Sequence, residues 1–244
     1  MPDREDNERA RAVRALLRER GVQTSETAAP IPRRTHSDVV PASSAQARIW
    51  FHAQLAPASI YYNVTSQVAL RGTLDLEVLE RAVSALAERQ AVLRTTFVER
   101  DGHPVQVVRS SWGGTVTFED VSAVAPDLRA REIEQRAALR AALAFDLVNG
   151  PIMRVHVIRR GSDDHVMFLH FHHIAVDGWA EPVVLAELAE LYSACVEHRA
   201  SALLPLAVEY ADFSLWHHRW LATEAARRQL AYWRSKLAGA PEAL

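Results

Sequence analysis

The period of the apolar residues changes several times along this chain, and each change predicts an element. The apolar run Val166-Met167-Phe168-Leu169 predicts a central strand buried on both faces. Residues 152–158 predict a strand just before it. Residues 63–70 alternate, so that Val64, Ser66, Val68 and Leu70 share one face of another. Residues 92–98 read as a strand that Asp101-Gly102 turns into a further one around residues 104–108. Helical spacing takes over at residues 75–90, where Leu76, Leu79, Ala82, Val83 and Leu86 fall on one face. Shorter or more charged helical patterns occupy residues 43–51, 126–143, 183–196, 210–220 and 221–237. Helices and strands interleave, which predicts a mixed α/β fold with helices packed on a sheet.

The two ends read differently from the body. Residues 7–20 set Ala10, Val13, Leu16 and Leu17 at helical spacing against a mostly arginine face, with Asp6 or Asn7 as the cap and Gly21 as the stop. A helix that short either packs back on the body or frays, or it docks a partner. Residues 23–40 are rich in Thr, Ser, Ala and Pro and read as an extended linker. The expected organisation is therefore a helix over 1–22, a linker over 23–40, a folded lobe over 41–220 and a final helical segment over 221–244.

Composition narrows the class without naming a chemistry. The 244 residues are 49% hydrophobic and 24% charged with a net charge of −2, so charge favours neither a nucleic acid nor a membrane surface as partner. The single cysteine, Cys195, excludes an internal disulfide. The N-terminus carries no signal-peptide pattern, and no apolar run approaches the roughly 20 residues of a membrane span. The expectation is a cytoplasmic protein.

Chemistry concentrates after the buried run, in His170-Phe171-His172-His173-Ile174-Ala175-Val176-Asp177-Gly178-Trp179. Loops leaving the ends of central strands are where α/β architectures present reactive groups. Strand alternation puts His170 and His172 on one face and His173 on the other, so the three do not converge on a metal. No HExxH motif or cysteine pair supplies other ligands. An imidazole titrating near neutrality accepts a proton from an attacking amine, alcohol or thiol. His173, last on the strand, is the best placed of the three. Asp177 either orients it or pairs with an arginine to hold the turn shut, and Gly178 admits a backbone N–H close to a developing oxyanion. There is no Gly-x-Ser-x-Gly elbow, and Cys195 falls mid-helix, so a covalent nucleophile is lacking. Direct, base-assisted acyl transfer fits these residues.

The spacing His172-His173-x-x-x-Asp177-Gly178 resembles the HHxxxDG signature of chloramphenicol-acetyltransferase-like acyltransferases. Other stretches narrow the likeness to the condensation domains of non-ribosomal peptide synthetases. Ser43-x-Ala45-Gln46-x-Arg48-Ile49-Trp50-Phe51 is similar to the family's opening motif, and Leu93-Arg94-Thr95-Thr96-Phe97 to the core of its second. Phe145-Asp146-Leu147 with Gly150-Pro151-Ile152 and Arg154 resembles the approach to the histidine motif. Tyr210-Ala211-Asp212-Phe213-x-x-Trp216 resembles the fourth motif. The chain departs from the pattern at Gln90-Ala91, where His-Glu is usual, and at Ala180, where serine is usual.

The resemblance implies a chloramphenicol-acetyltransferase-like lobe: a mixed sheet flanked by helices, the first of two lobes, with the second lobe missing. It implies amide formation between a donor thioester on one peptidyl carrier protein and the amine of an aminoacyl thioester on the next, in the biosynthesis of secondary metabolites such as antibiotics. His173 is then the general base, or the group that positions the amine and stabilises the tetrahedral intermediate. The Gly178 N–H assists at the oxyanion, and His172 shapes the turn. Asp177 pairs with Arg94 to hold the loop, and Trp179 and Ala180 border the substrate tunnel. Phosphopantetheine arrives on the carriers, so neither a cofactor nor a metal of its own is expected. Residues 1–22 would receive an upstream synthetase protein. The competing reading is a non-catalytic lobe or docking module that binds carrier or partner synthetase proteins.

Overall fold

Hydrogen-bond chemistry at the helix ends matches the residues found there. The computed structural model describes residues 31–35 and 39–241, so the helix expected over residues 7–20 lies outside the described residues. Helix α1 (Ser44–Leu55) opens on a reciprocal cap. The Gln46 amide donates to Ser43 Oγ at 3.2 Å, and the Ser43 amide donates to Gln46 Oε1 at 3.1 Å. Helix α2 (Leu76–Arg89) is capped by Asp75, which accepts from the Val78 amide at 3.0 Å. Helix α3 (Pro126–Ala141) begins at a proline, whose missing N–H costs nothing in a first turn. Helices α4 (Ala180–Val196), α5 (Tyr210–Leu221) and α6 (Glu224–Lys236) complete the described set. Among the described residues no helix is long and apolar enough to cross a membrane.

The strands form two sheets. The smaller runs β1 (Val39–Pro41), β4 (His103–Val108), β3 (Thr95–Arg100), with antiparallel pairing throughout. The larger runs β2 (Asn63–Arg71), β7 (Asp164–His172), β6 (Met153–Gly161), β5 (Val116–Asp120). The run read as a central buried strand is β7, paired antiparallel with β2 on one side and β6 on the other. One face of β7 sends Met167, Leu169 and Phe171 into a core shared with Leu79, Val83 and Leu86 of α2 and Val184 and Leu188 of α4. Its opposite face sends Val166 and Phe168 against Ile158, Val121 and the inner side of α3. A third cluster, with Trp50, Phe97, Phe145, Ile152 and Ile174, packs beneath α1.

The structure corrects one expectation from the pattern and adds two features to it. Residues 92–94 are not strand: Ala91–Arg94 form a 3₁₀ turn, and β3 begins at Thr95. The chain there is still closing helical bonds, with the Gln90 amide on the Leu86 carbonyl, the Leu93 amide on the Gln90 carbonyl and Thr95 Oγ1 on the Ala91 carbonyl at 2.7 Å. Strand β5 was not anticipated. It is a five-residue parallel edge strand with Phe118 exposed, too short for its alternation to stand out. Strand β1 begins two residues before the expected lobe boundary, and Arg34, in the expected linker, is pinned. Its amide and Nη1 both donate to Asp212 Oδ1, and its Nη2 donates to Glu209 Oε2 at 2.6 Å.

Candidate functional site

The turn after β7 is built on alternating anchors. His172, Ile174 and Val176 are buried, while His173 and Asp177 are exposed. The Ala175 amide donates to the His172 carbonyl at 3.0 Å, closing the turn, and the His173 amide donates to the Tyr62 carbonyl at 2.8 Å. The β2–β7 register, with Asn63 opposite His172, places Tyr62 beside His173. The Tyr62 ring lies 6.0 Å from that of His172 and 6.4 Å from that of His173. Asn63 in turn donates its side-chain amide to the Ala141 and Leu143 carbonyls at the end of α3.

The two adjacent histidines have opposite hydrogen-bond assignments. His173 Nδ1 lies 2.5 Å from the Val176 carbonyl. A carbonyl only accepts, so Nδ1 carries the proton and the Nε2 lone pair of this exposed ring is left unused. His172 Nδ1 instead accepts the Ile174 amide at 3.2 Å, which puts its proton on Nε2. Burial pushes the His172 imidazole down to about 4, with the neighbouring His173 adding to the shift, so His172 is neutral at physiological pH. The Phe145 ring closes over it at 6.0 Å. His170, two residues upstream on the strand, points into the lobe and shares a 2.9 Å hydrogen bond with Thr65 Oγ1.

Asp177 does not pair with Arg94 in this structure. Its Oδ1 accepts the Trp179 amide at 3.0 Å and the Ala180 amide at 2.9 Å, which caps the start of α4. Arg94 closes the 3₁₀ turn, and its guanidinium folds back onto the carbonyls that the end of α2 leaves open. Nε donates to the Ala87 carbonyl at 3.1 Å, and the fork also reaches the carbonyls of Glu88 and Arg109. Each side chain is taken by the nearest unpaired helix end, so among the described residues no ion pair joins them. Gly178 follows directly. Its amide has no hydrogen-bond partner among the described residues, and a side chain there would meet no atom within 4 Å. Trp179 is 89% exposed, and Ala180 is the first residue of α4. Among the described residues no three metal-ligating side chains converge.

Sequence reading missed Tyr62 and Val176 as parts of this site and named Phe145 only in the stretch that resembles the approach to the histidine motif. The first two act through a backbone carbonyl, which leaves no trace in residue type. The pair Tyr62-Asn63 becomes informative only once the β2–β7 register is known.

The condensation-domain family matches residues 36–244. One of the proteins that make up linear gramicidin synthase in Brevibacillus parabrevis is 39% identical over 218 residues, covering 89% of this chain and 4% of that one. Among solved structures, the starter condensation domain of the rhizomide synthetase RzmA superposes with a TM-score of 0.76 at 21% identity, over 84% of this chain and 49% of that chain. The X-domain in complex with OxyB from teicoplanin biosynthesis superposes with a TM-score of 0.77 at 26% identity, over 88% and 47%. The chain thus spans about half of its solved neighbours and a small fraction of its curated relative.

Proposed function

This chain belongs to the condensation-domain family of non-ribosomal peptide synthetases, and on that premise we propose that it is the histidine-bearing lobe of an amide-forming acyltransferase. The observation that carries the proposal is the hydrogen-bond assignment of His173, with Nδ1–H held by the Val176 carbonyl and the Nε2 lone pair open on the exposed side. A general base needs that arrangement: one nitrogen fixes the ring, and the other takes a proton.

In the proposed reaction the donor is an acyl or peptidyl thioester on one carrier protein, and the acceptor is the amine of an aminoacyl thioester on another. Both arrive on phosphopantetheine arms, so the chain needs no cofactor of its own. The amine nitrogen bonds to the thioester carbonyl carbon and its proton passes to His173 Nε2. The tetrahedral intermediate collapses with cleavage of the C–S bond, and the imidazolium returns the proton to the departing thiolate. The Val176 carbonyl stabilises the imidazolium through Nδ1–H, and the uncommitted Gly178 amide donates to the oxyanion. His172, neutral and buried, holds the turn, while Trp179 and Ala180 border the path of the substrate.

A second lobe would complete the domain. Two observations support this: the chain spans about half of its solved neighbours, and α6 leaves Leu230, Tyr232 and Trp233 exposed. Residues 1–22, arginine-rich, would receive an upstream synthetase protein.

The test supplies the second lobe and measures amide formation between loaded donor and acceptor carriers. General-base loss predicts a fall of about 10²–10⁴-fold for His173→Ala. A fall smaller than about tenfold would reduce His173 to a positioning role. The docking-module reading is favoured by one observation, that a neighbour of this fold was solved as a complex with OxyB. Carrier binding without amide formation in either protein would select it.

A further inference from the structure

A cleft of about 230 Å³ opens on the α3 side of the large sheet, away from the His173 turn. It is lined by Gly113, Gly114, Arg140, Arg154, His156 and His170 among others. His156 and His170 are 1% and 2% exposed, and each stacks against Phe168. His170 Nε2 and Arg154 Nε are buried without a hydrogen-bond partner. His156 Nε2 lies 3.0 Å from Glu119 Oε1, off the line of a hydrogen bond, and its Nδ1 has no partner. Buried polar groups left unpaired in this way are costly, so several together point to a missing partner.

The charges say what kind of partner. The Glu119 carboxylate is shared by Arg136, Arg140 and His156. Arg136 has a second partner in Glu132. Arg154 has no carboxylate among the described residues. It donates Nη2 to the Leu143 carbonyl and lies 3.9 Å over the Phe145 ring. The excess is therefore positive. Arg154 Nε–H is an unpaired donor, and His170 Nε2 is a second in the tautomer that accepts the Thr65 hydroxyl proton at Nδ1. One water accepts at most two hydrogen bonds and brings no charge. An oxyanion accepts from all of these donors and neutralises the excess.

We propose that this cleft is a binding site for a small oxyanion, a phosphate or carboxylate group, held between Arg154, Arg140 and the buried edges of His156 and His170. The site is separate from the base at His173, although the Phe145 ring that carries Arg154 also packs on His172.

The experiment titrates inorganic phosphate, and in parallel acetate, into the full chain at constant ionic strength, following the histidine ring resonances by NMR. The expected result is saturable, millimolar-range movement of the His156 and His170 rings while His173 stays put. The tighter of the two anions identifies the oxyanion class. Arg154→Met should weaken binding on the order of tenfold, as for loss of one charge-assisted hydrogen bond. Arg140→Gln, at the half-exposed rim, provides the same test should Arg154→Met fail to fold. Rings that do not move, that move equally with chloride, or that move unchanged in the variants would mean that the cleft holds water only, and the proposal would be overturned.

Discussion

Replacing Asp177 separates two accounts of the turn that follows β7. In one, Asp177 and Arg94 form an ion pair that shuts the turn. In the structure, Asp177 Oδ1 instead accepts the amides of Trp179 and Ala180 at the head of the 17-residue α4, and Arg94 covers the end of α2. Loss of a helix cap costs about 1 kcal/mol, within a range of roughly 0.5–2. Asp177→Ala should therefore lower stability by about that amount, or roughly 2–4 °C in Tm for a chain of this size. Asp177→Asn keeps an acceptor oxygen and loses only the charge at the helix N-terminus, so it should cost about 0.5 kcal/mol or less. Arg94→Met removes the bonds to the α2 carbonyls, again about 1 kcal/mol. The two side chains have no shared partner, so the double variant should equal the sum of the singles within about 0.5 kcal/mol. Urea denaturation of the parent, the singles and the double measures this directly. A coupling energy above about 1 kcal/mol, or an Asp177→Ala protein as stable as the parent, would refute the capping account.

Acid should destabilise the lobe through its buried histidines. His170 and His172 are both pushed down to about 4 by burial, whereas the unfolded chain binds their protons near pH 6.5. Their contribution is thus complete above pH 6.5 and is lost as pH falls from 6.5 towards 4, amounting to about 2 kcal/mol each by pH 5. Denaturation at pH 7 and pH 5 checks it, and equal stabilities, or a His172 ring titrating near 6.5, would contradict it. Gly114→Ala should be costly, because a Cβ there would stand 2.4 Å from the Trp112 indole, which is buried and bonded through Nε1 to the Met153 carbonyl. Overpacking of this kind costs about 1–3 kcal/mol, read as a lowered urea midpoint; an unchanged midpoint would refute it. Gly178→Ala should behave in the opposite way, with stability unchanged or slightly raised since the added methyl meets open space, but with amide formation impaired in the completed domain. Full activity would show that the reaction does not need the open approach that glycine leaves here, since alanine keeps the backbone N–H.

How far the chain could be read from its residues depended on where the determining interaction lay. The apolar run at 166–169 and the helical face at 76–86 carry their burial in residue type, so β7 and α2 were legible. The alternation of His172, Ile174 and Val176 against His173 and Asp177 is also in the sequence, and it turned His173 outward. What was not legible rests on backbone groups and on pairing. The Tyr62 and Val176 carbonyls that fix His173 act without regard to their side chains, and β5 exists because β6 offers it a parallel edge. The Asp177–Arg94 pairing failed for a related reason. A carboxylate just before a helix and a guanidinium just after one each meet unpaired backbone groups closer than they meet each other.

The claim on which the rest depends is that His173 carries its proton on Nδ1 and leaves Nε2 free to act as the base. Nitrogen-15 NMR of the histidine rings at neutral pH tests it in the chain as it stands, before any carrier or second lobe is added. The account predicts a protonated Nδ1 and an unprotonated Nε2 for His173, and the reverse for His172. A His173 ring protonated at Nε2 would contradict it, because the nitrogen open to an incoming amine could then no longer accept its proton.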